Sequence, residues 1–413
     1  MLARLGRVFG QTRWKSWLAI VGVAAIAAGF AYHVAAHPMD FRVYHYGARG
    51  VFDETRPVYG ETSGLGWPMH YRYPPLFLLL FAPLAMLPLG PAAAVWVVAK
   101  IGTLGWLLVE AWRRGLQPAM TYWIVPFLFI TPYIIEEFRY GNAQFFVVAL
   151  AIAGLWTARS RPALAGAVLG LAISVKVWPL FFLPYLAVRR DWKPVAYTLG
   201  FVLLLSVLPS IYFGVQGNID LLGQWFMQES QTQLSESEIW FPNQSLRGIL
   251  MRYLTVVDYS QVPDSNYAQV NLAALDPSAV RLLWMVLAGG LYAAFLFLAN
   301  RRRHGNGWLD HALAFCLVAL LQPFTQKYAL AVLLAPVVVT SCLMKDRRIR
   351  ILIYAATISV LIQPLAPGAG AQRLLQVLGL DFGATLLLTI AIALACLEFS
   401  DDSFGCYKTE TRS

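Results

Sequence analysis

Apolar residues run in long unbroken stretches along most of the chain, parted by short polar joints. The stretches are too long for the two-residue alternation of half-buried strands, and too uniformly apolar for the single stripe of a surface helix. They predict membrane helices near 17–36, 74–89, 91–112, 120–136, 142–157, 162–175, 177–188, 194–213, 279–299, 309–322, 324–344, 349–365 and 382–399. Several are short: the 14 residues of 162–175 rise only about 21 Å as a helix, against a hydrocarbon core of roughly 30 Å. The pair 162–175 and 177–188, broken around Lys176 and Pro179, therefore needs a thinned bilayer or shelter from other helices. The expectation is an all-α polytopic membrane protein of 12 or 13 segments, forming one membrane domain over 1–413. Trp17 to Ala36 reads as a retained first helix, since a small-x-small cleavage site is lacking.

Composition agrees. The chain is 58% hydrophobic and only 13% charged, about half the charged share of a soluble domain, roughly 25%. The net charge of +10 would suit nucleic acid were it spread over one face, but it is not. Lys and Arg gather in the joints: Arg4, Arg7, Arg13 and Lys15; Arg159 and Arg161; Arg189, Arg190 and Lys193; Arg301 to Arg303; Lys345, Arg347, Arg348 and Arg350. That is the positive-inside signature of cytoplasmic loops, so no nucleic-acid partner is expected. Counting crossings from those loops puts Asp40, the Gly141 to Gln144 hairpin, Lys176, Gln322 to Tyr328 and the stretches 37–73 and about 214–278 on the far face. The counts conflict by one crossing unless 74–89, which carries Pro74, Pro75, Pro83 and Pro88, is re-entrant or incomplete. The cysteines Cys316, Cys342, Cys396 and Cys406 are scattered, without CxxC or a Cys/His cluster, and support no zinc site or disulfide framework.

Candidate chemistry collects on the far face. Asp40 follows the first helix at once, in His37-Pro38-Met39-Asp40-Phe41-Arg42-Val43-Tyr44. A carboxylate at the mouth of a membrane helix is costly where water is excluded and well sited to work on lipid-borne substrates. Arg42, Tyr44, His45, Arg72, Tyr73, Glu136, Glu137, Arg139, Asn142, Gln144, Lys176, Asn243, Gln244, Ser245, Arg247, Gln326, Lys327 and Tyr328 share its level. Cations take a phosphate, a carboxylate takes a proton, and amides and aromatics hold a sugar. Each residue also has a plainer reading. Asp40 alone would pass for a helix-end carboxylate, Lys176 for a snorkelling lysine, Glu136 and Glu137 for local partners of Arg139, and His45 for a solvated loop histidine. Glu54 and Arg56 read as a solvated loop pair and Asp401-Asp402 as a solvated tail.

The ordered motifs Asp40-Phe41-Arg42-Val43-Tyr44, Tyr73-Pro74-Pro75, Pro83-Leu84-Ala85-Met86-Leu87-Pro88, Gly141-Asn142-Ala143-Gln144, Lys176-Val177-Trp178-Pro179 and Asn243-Gln244-Ser245-Leu246-Arg247-Gly248 resemble the glycosyltransferase family 87 proteins over about 17–345. The hairpin resembles the family's Gly-Gln-x-Asn with its amides transposed. The resemblance implies a GT-C membrane fold and an inverting transfer of a sugar, with mannose expected. The donor would be a polyprenyl-phosphate sugar, the acceptor a hydroxyl of a glycolipid or glycan, and Asp40 the general base. It implies donor-phosphate contacts at Lys176, Lys327, Arg42 and Arg247, and substrate contacts at Tyr44, Asn142, Gln144, Asn243, Gln244 and Gln326. One departure stands near Pro323: relatives carry Trp and His where this chain has Phe324-Thr325-Gln326-Lys327-Tyr328, and Lys327 is the expected substitute for the histidine. No Asp-x-Asp stands out in an external loop, so a metal-independent reaction without cofactor is expected. The expected location is a bacterial inner (plasma) membrane with the site on the extracytoplasmic face. A secondary transporter, or a lipid-linked glycan ligase or polymerase, are the alternatives. A transporter would place its polar groups near the bilayer midplane, often between repeated halves, and no repeat is evident.

Overall fold

The computed structural model describes residues 13–50, 58–60, 69–232, 239–256 and 268–399, and every regular element among them is helical. In chain order these are α1 (Arg13–Ala36), α2 (Asp40–Gly50), α3 (Pro75–Ala85), α4 (Leu89–Arg113), α5 (Met120–Tyr140), α6 (Gln144–Thr157) and α7 (Pro162–Val175). A 3₁₀ turn (Trp178–Phe181) then leads into α8 (Phe182–Val188), followed by α9 (Trp192–Val207), α10 (Ser210–Thr232), α11 (Leu246–Leu254), α12 (Pro277–Arg301) and α13 (Trp308–Leu321). A second 3₁₀ turn (Lys327–Leu333) enters α14 (Leu334–Leu343), and α15 (Arg347–Leu365), α16 (Gly368–Val377) and α17 (Leu380–Glu398) are the last described elements. Each apolar segment expected from the sequence is helical, with ends moved by a few residues. Among the described residues four helices, α4, α12, α15 and α17, are long and apolar enough to cross a membrane on their own, and α9 with α10 makes a fifth if that bent pair is one span. The other apolar helices are shorter and pack among them.

Three short helices were not anticipated. α2, α11 and α16 carry charges on one side and apolar residues on the other, so no apolar run announces them. The stretch 214–278 is likewise no simple loop. It begins inside α10, which turns 92° from α9 after Leu208-Pro209 and leaves Ile211, Val215, Phe226 and Met227 exposed. Glu54, Arg56, Asp401, Asp402, Cys406, Arg4 and Arg7 lie outside the described residues. Cys342 is disulfide-bonded, which departs from the expectation that the scattered cysteines form none, and Cys316 and Cys396 are buried.

α3 is 11 residues long, too short at about 16 Å to cross a hydrocarbon core of roughly 30 Å. It packs along α2: Tyr44 Oη donates to Tyr73 Oη just before it, Arg49 Nε donates to Ala85 O at its C-terminus, and His45 Nε2 donates to Leu87 O just beyond. His45 is buried there and holds a carbonyl, which corrects its reading as a solvated loop residue.

Close packing at the centre depends on small residues. α7 lies against α9 where Gly166 and Gly170 face Tyr197 and Phe201, and a Cβ at either glycine would come within 2.3 and 2.7 Å of those side chains. Backbones that approach this closely gain dispersion contact, which drives helix association in lipid. At the opposite end from Asp40, the basic joints are drawn together. Asp310 accepts Arg189 Nη1 at 2.5 Å and Arg302 Nε at 2.9 Å, Arg159 pairs with Asp191, and Arg189 and Arg159 both donate to Gly305 O. One buried carboxylate thus ties two joints together, and Asp191 brings in the third. Replacing it by Asp310→Asn leaves two guanidiniums short of their counter-charge, and we expect a loss of about 3–5 kcal/mol, read as a fall in the thermal unfolding midpoint of the purified protein in detergent.

Candidate functional site

Asp40 opens α2, and the helix N-terminus favours its negative charge. Met39 O accepts Arg42 N–H, closing the first turn. The side chain of Asp40 is 7% exposed and packs where the α5–α6 hairpin meets the end of α7. That hairpin turns at Gly141, whose φ of +71° ends α5 in the left-handed region. A Cβ at Gly141 would stand 2.7 Å from the Cβ of Phe41, the residue after Asp40, so the hairpin can reach α2 only with glycine there. Trp96 Nε1 of α4 donates to Gly141 O and holds the turn from the other side.

Asn142 follows and joins the elements. Its Oδ1 accepts from Lys176 Nζ at 3.0 Å, Tyr73 Oη at 3.1 Å and Gln144 N at 2.9 Å. Three donors converging on one atom identify it as the amide oxygen, so Nδ2 is the atom that faces Asp40, donating to Oδ2 at 2.9 Å. Tyr73 commits its proton to Asn142, so Tyr44 Oη donates to Tyr73 Oη at 2.8 Å, extending the chain back to α2. The second oxygen of Asp40, Oδ1, is buried with no hydrogen-bond partner. Burial pushes the Asp40 carboxyl above the ordinary carboxylate value. The Asn142 hydrogen bond and the cations of Lys176, Lys100 and Arg72 pull the other way without cancelling it.

Aromatic residues and a second cation frame this carboxylate. Lys176 Nζ lies 5.4 Å from the centre of the Tyr73 ring and 5.9 Å from that of Tyr328, and Tyr328 packs on Tyr140 at 5.4 Å. Arg72 forms a two-bonded fork with Glu229 of α10, both bonds at 3.1 Å, and is about one-third exposed. Trp225 and Gln228 of the same helix donate to Arg72 O and Tyr71 O. Beneath the hairpin, Lys100 of α4 and Glu137 of α5 form an ion pair at 2.8 Å with no exposure of either side chain.

The sequence-predicted residues divide. Asp40, Tyr44, Asn142 and Lys176 meet in one network, and Gln144 joins it through its backbone N–H. Arg42 lies two positions beyond Asp40 and so leaves α2 roughly 200° around the helix; its Nε is buried without a partner. Arg247 is placed on α11 with its guanidinium 5.2 Å from the Trp284 ring of α12, and no described contact links it to Asp40. Asn243 and Gln244 act as staples. Asn243 Oδ1 accepts from Ser245 N and Thr325 N while its Nδ2 donates to Pro323 O. Gln244 Nε2 donates to Phe241 O and Gln376 O, and its Oε1 accepts from Phe382 N. Gln326 caps the second 3₁₀ turn and Lys327 is its first residue, half-buried, but it is the next residue, Tyr328, that stands over Lys176. Glu136 pairs with Arg139 as the plain reading has it, whereas Glu137 turns inward to Lys100. Lys100 and Glu229 were not singled out. A lysine inside the apolar run 91–112 was the available signal for the first, and nothing in the sequence marks the second. Among the described residues, no three His, Cys, Asp or Glu side chains are grouped so as to hold a metal ion.

The model of glycosyltransferase family 87 matches residues 71–323. Over 243 residues the chain is 31% identical to the polyprenol-phosphate-mannose-dependent alpha-(1-2)-phosphatidylinositol mannoside mannosyltransferase of Mycobacterium tuberculosis, covering 49% of this chain and 53% of that protein. The protein of the same description from Mycolicibacterium smegmatis is 32% identical over 178 residues, 37% of this chain and 39% of that one. A polyprenol-phosphate-mannose-dependent alpha-(1-2)-phosphatidylinositol pentamannoside mannosyltransferase of M. tuberculosis is 26% identical over 299 residues, 67% of this chain and 64% of that protein. The chain spans about half the length of the curated relatives it matches. No solved structure matches it.

Gly141 can be tested apart from any function. Gly141→Ala imposes both the positive φ and the contact with Phe41 on a residue bearing a Cβ. We expect it to cost about 1–3 kcal/mol, measured as a lowered thermal unfolding midpoint.

Proposed function

The chain belongs to glycosyltransferase family 87, and from that premise we propose that it transfers mannose from a polyprenyl-phosphate donor to a hydroxyl of a membrane glycolipid. The observation that carries the reading is the unpartnered Oδ1 of Asp40, a buried carboxylate oxygen whose twin is held by Asn142. An acceptor hydroxyl is the group that would complete it. Asp40 takes the proton as the hydroxyl oxygen bonds to the anomeric carbon, and the bond from that carbon to the donor phosphate breaks on the opposite side, inverting the centre. A β-linked donor then yields an α-linked product, the linkage named for the relatives.

The leaving polyprenyl phosphate departs with the bonding electron pair. Lys176 and Arg72, both near enough to favour the charge on Asp40, are the cations placed to meet it. Arg72, forked to Glu229, joins the expected cations Lys327, Arg42 and Arg247 as a donor-phosphate candidate through its electrostatic reach to Asp40. Tyr73 and Tyr328 both lie against the Lys176 ammonium through their rings and help to hold it in place. Two side-chain cations suffice for a monophosphate, so the reading requires no metal. The site lies at the end of the bundle away from the basic joints, which the charge bias assigns to the extracytoplasmic side of a plasma membrane.

The test is transfer by the purified protein, with polyprenyl-phosphate mannose as donor and phosphatidylinositol mannoside as acceptor. Asp40→Asn should lower kcat by about 10²- to 10⁴-fold, and a variant as fast as the wild type defeats the reading. Lys176→Ala should raise the KM for donor more than that for acceptor, and chelation with EDTA should leave the rate unchanged. The pH dependence follows from the Asp40 environment. Its carboxyl titrates above the ordinary value in the folded protein and must be ionised to accept a proton. Activity should therefore be present at neutral pH and fall as pH drops through that raised value, with the acid limb of kcat/KM above roughly pH 4. A rate that holds flat down to pH 4 counts against Asp40 as the base.

A further inference from the structure

Lys100 and Glu137 are both fully buried, and a buried ion pair in a membrane bundle is expensive to keep for stability alone. Its position is informative. Lys100 Nζ donates to the Glu137 carboxylate at 2.8 Å and also to the Glu137 carbonyl at 3.2 Å, so it grips the last turn of α5 by backbone as well as side chain. Glu137 Oε1 accepts Phe145 N–H at 2.9 Å, which ties the last turn of α5 to the first turn of α6 across the hairpin. One turn before Lys100 on α4, Trp96 holds Gly141 O. The pair and the indole thus brace both arms and the tip of a hairpin whose one functional product is the direction of the Asn142 amide.

We propose that Lys100 and Glu137 are positioning residues for glycosyl transfer, fixing the α5–α6 hairpin so that Asn142 presents its Nδ2 to Asp40 and its Oδ1 to Lys176. The inference rests on the function proposed above. The pair also acts through charge. Lys100 lies near enough to Asp40 to favour its ionised form, and Glu137 stands in the same relation to Lys176. Around Asp40 the remaining polar and charged groups are Asn142 from the hairpin, Lys176 from the end of α7, Arg72 from the segment before α3, Tyr44 on α2 itself, Tyr73, Tyr140 and Tyr328. Four charges of alternating sign, Asp40, Lys176, Glu137 and Lys100, thus sum to zero before a donor phosphate adds its own.

The double variant Lys100→Met with Glu137→Gln removes both charges at similar volume and keeps an oxygen for Phe145 N–H. We expect kcat to fall about 10- to 100-fold, the donor KM to stay within about threefold, and the acid limb of the pH–rate profile to move upward as Asp40 loses a neighbouring cation. A double variant with wild-type kcat and an unmoved acid limb overturns the proposal, as does a change confined to the donor KM. If that variant is not recovered as a folded, monodisperse protein, Trp96→Phe removes the bond to Gly141 O and keeps a ring among Phe41, Phe81 and Phe146. It should lower kcat at unchanged donor KM, and wild-type kcat in that variant overturns the bracing role. Asp40→Asn is run in the same series. Full activity there sinks the proposed function itself, whereas an inactive Asp40→Asn beside an unaffected double variant sinks only the positioning.

Discussion

The carboxamide of Asn142 is the contact on which the rest of the site depends. It is neutral, yet it joins an anion on one side to a cation on the other, and its oxygen collects three donors from three separate elements. In a low-dielectric bundle such a bridge lets Asp40 and Lys176 stand close without collapsing into a direct ion pair that would occupy both. A direct pair would hide the carboxylate behind the ammonium. The amide keeps one carboxylate oxygen engaged and the other unspent. Because its own oxygen has no capacity left, Asn142 serves to orient its neighbours.

That arrangement constrains the backbone well beyond the hairpin. The turn must be glycine so that Phe41 can lie against it, and α4 must pass close enough for Trp96 to reach the turn's carbonyl and Lys100 the turn of helix below. The segment entering α3 must pass beside the hairpin so that Tyr73 can reach Asn142. The short helices follow from the same requirement. A bundle that gathers polar groups from so many segments at one level does so by stopping helices there, which is why α6, α7 and α13 are only 14 residues each.

Much of this was legible in the sequence, because apolar runs and basic joints are strong local signals. The helices, the direction in which they run and the level shared by Asp40, Asn142 and Lys176 follow from them. Counting crossings singled out 74–89 as the irregular segment, and its helix is only 11 residues long. What could not be read were interactions whose meaning lies in the partner. Glu137 and Glu136 are adjacent and identical in type, yet one is solvated beside Arg139 and the other buried against Lys100, a choice set by helix phase and by a lysine 37 residues away. Asn243 and Gln244 look like ligands by residue type, but packing against the 322–326 joint and α16 turns their amides to carbonyls. The same holds for Lys327 and Tyr328, where a one-residue step in a 3₁₀ turn decides which side chain meets Lys176.

The bend between α9 and α10 carries a consequence of a different kind. α10 leaves the bundle at 92°, shows apolar side chains outward, and is bonded to the rim of the site through Glu229, Gln228 and Trp225. Seated in the surface of the hydrocarbon, that apolar side would pin the rim at one depth relative to the lipid. A substrate carried by a lipid arrives already at that depth and needs to search only in two dimensions. Its encounter with the site is then governed by how many such lipids share each unit of membrane area, and dilution of the surrounding water leaves it untouched.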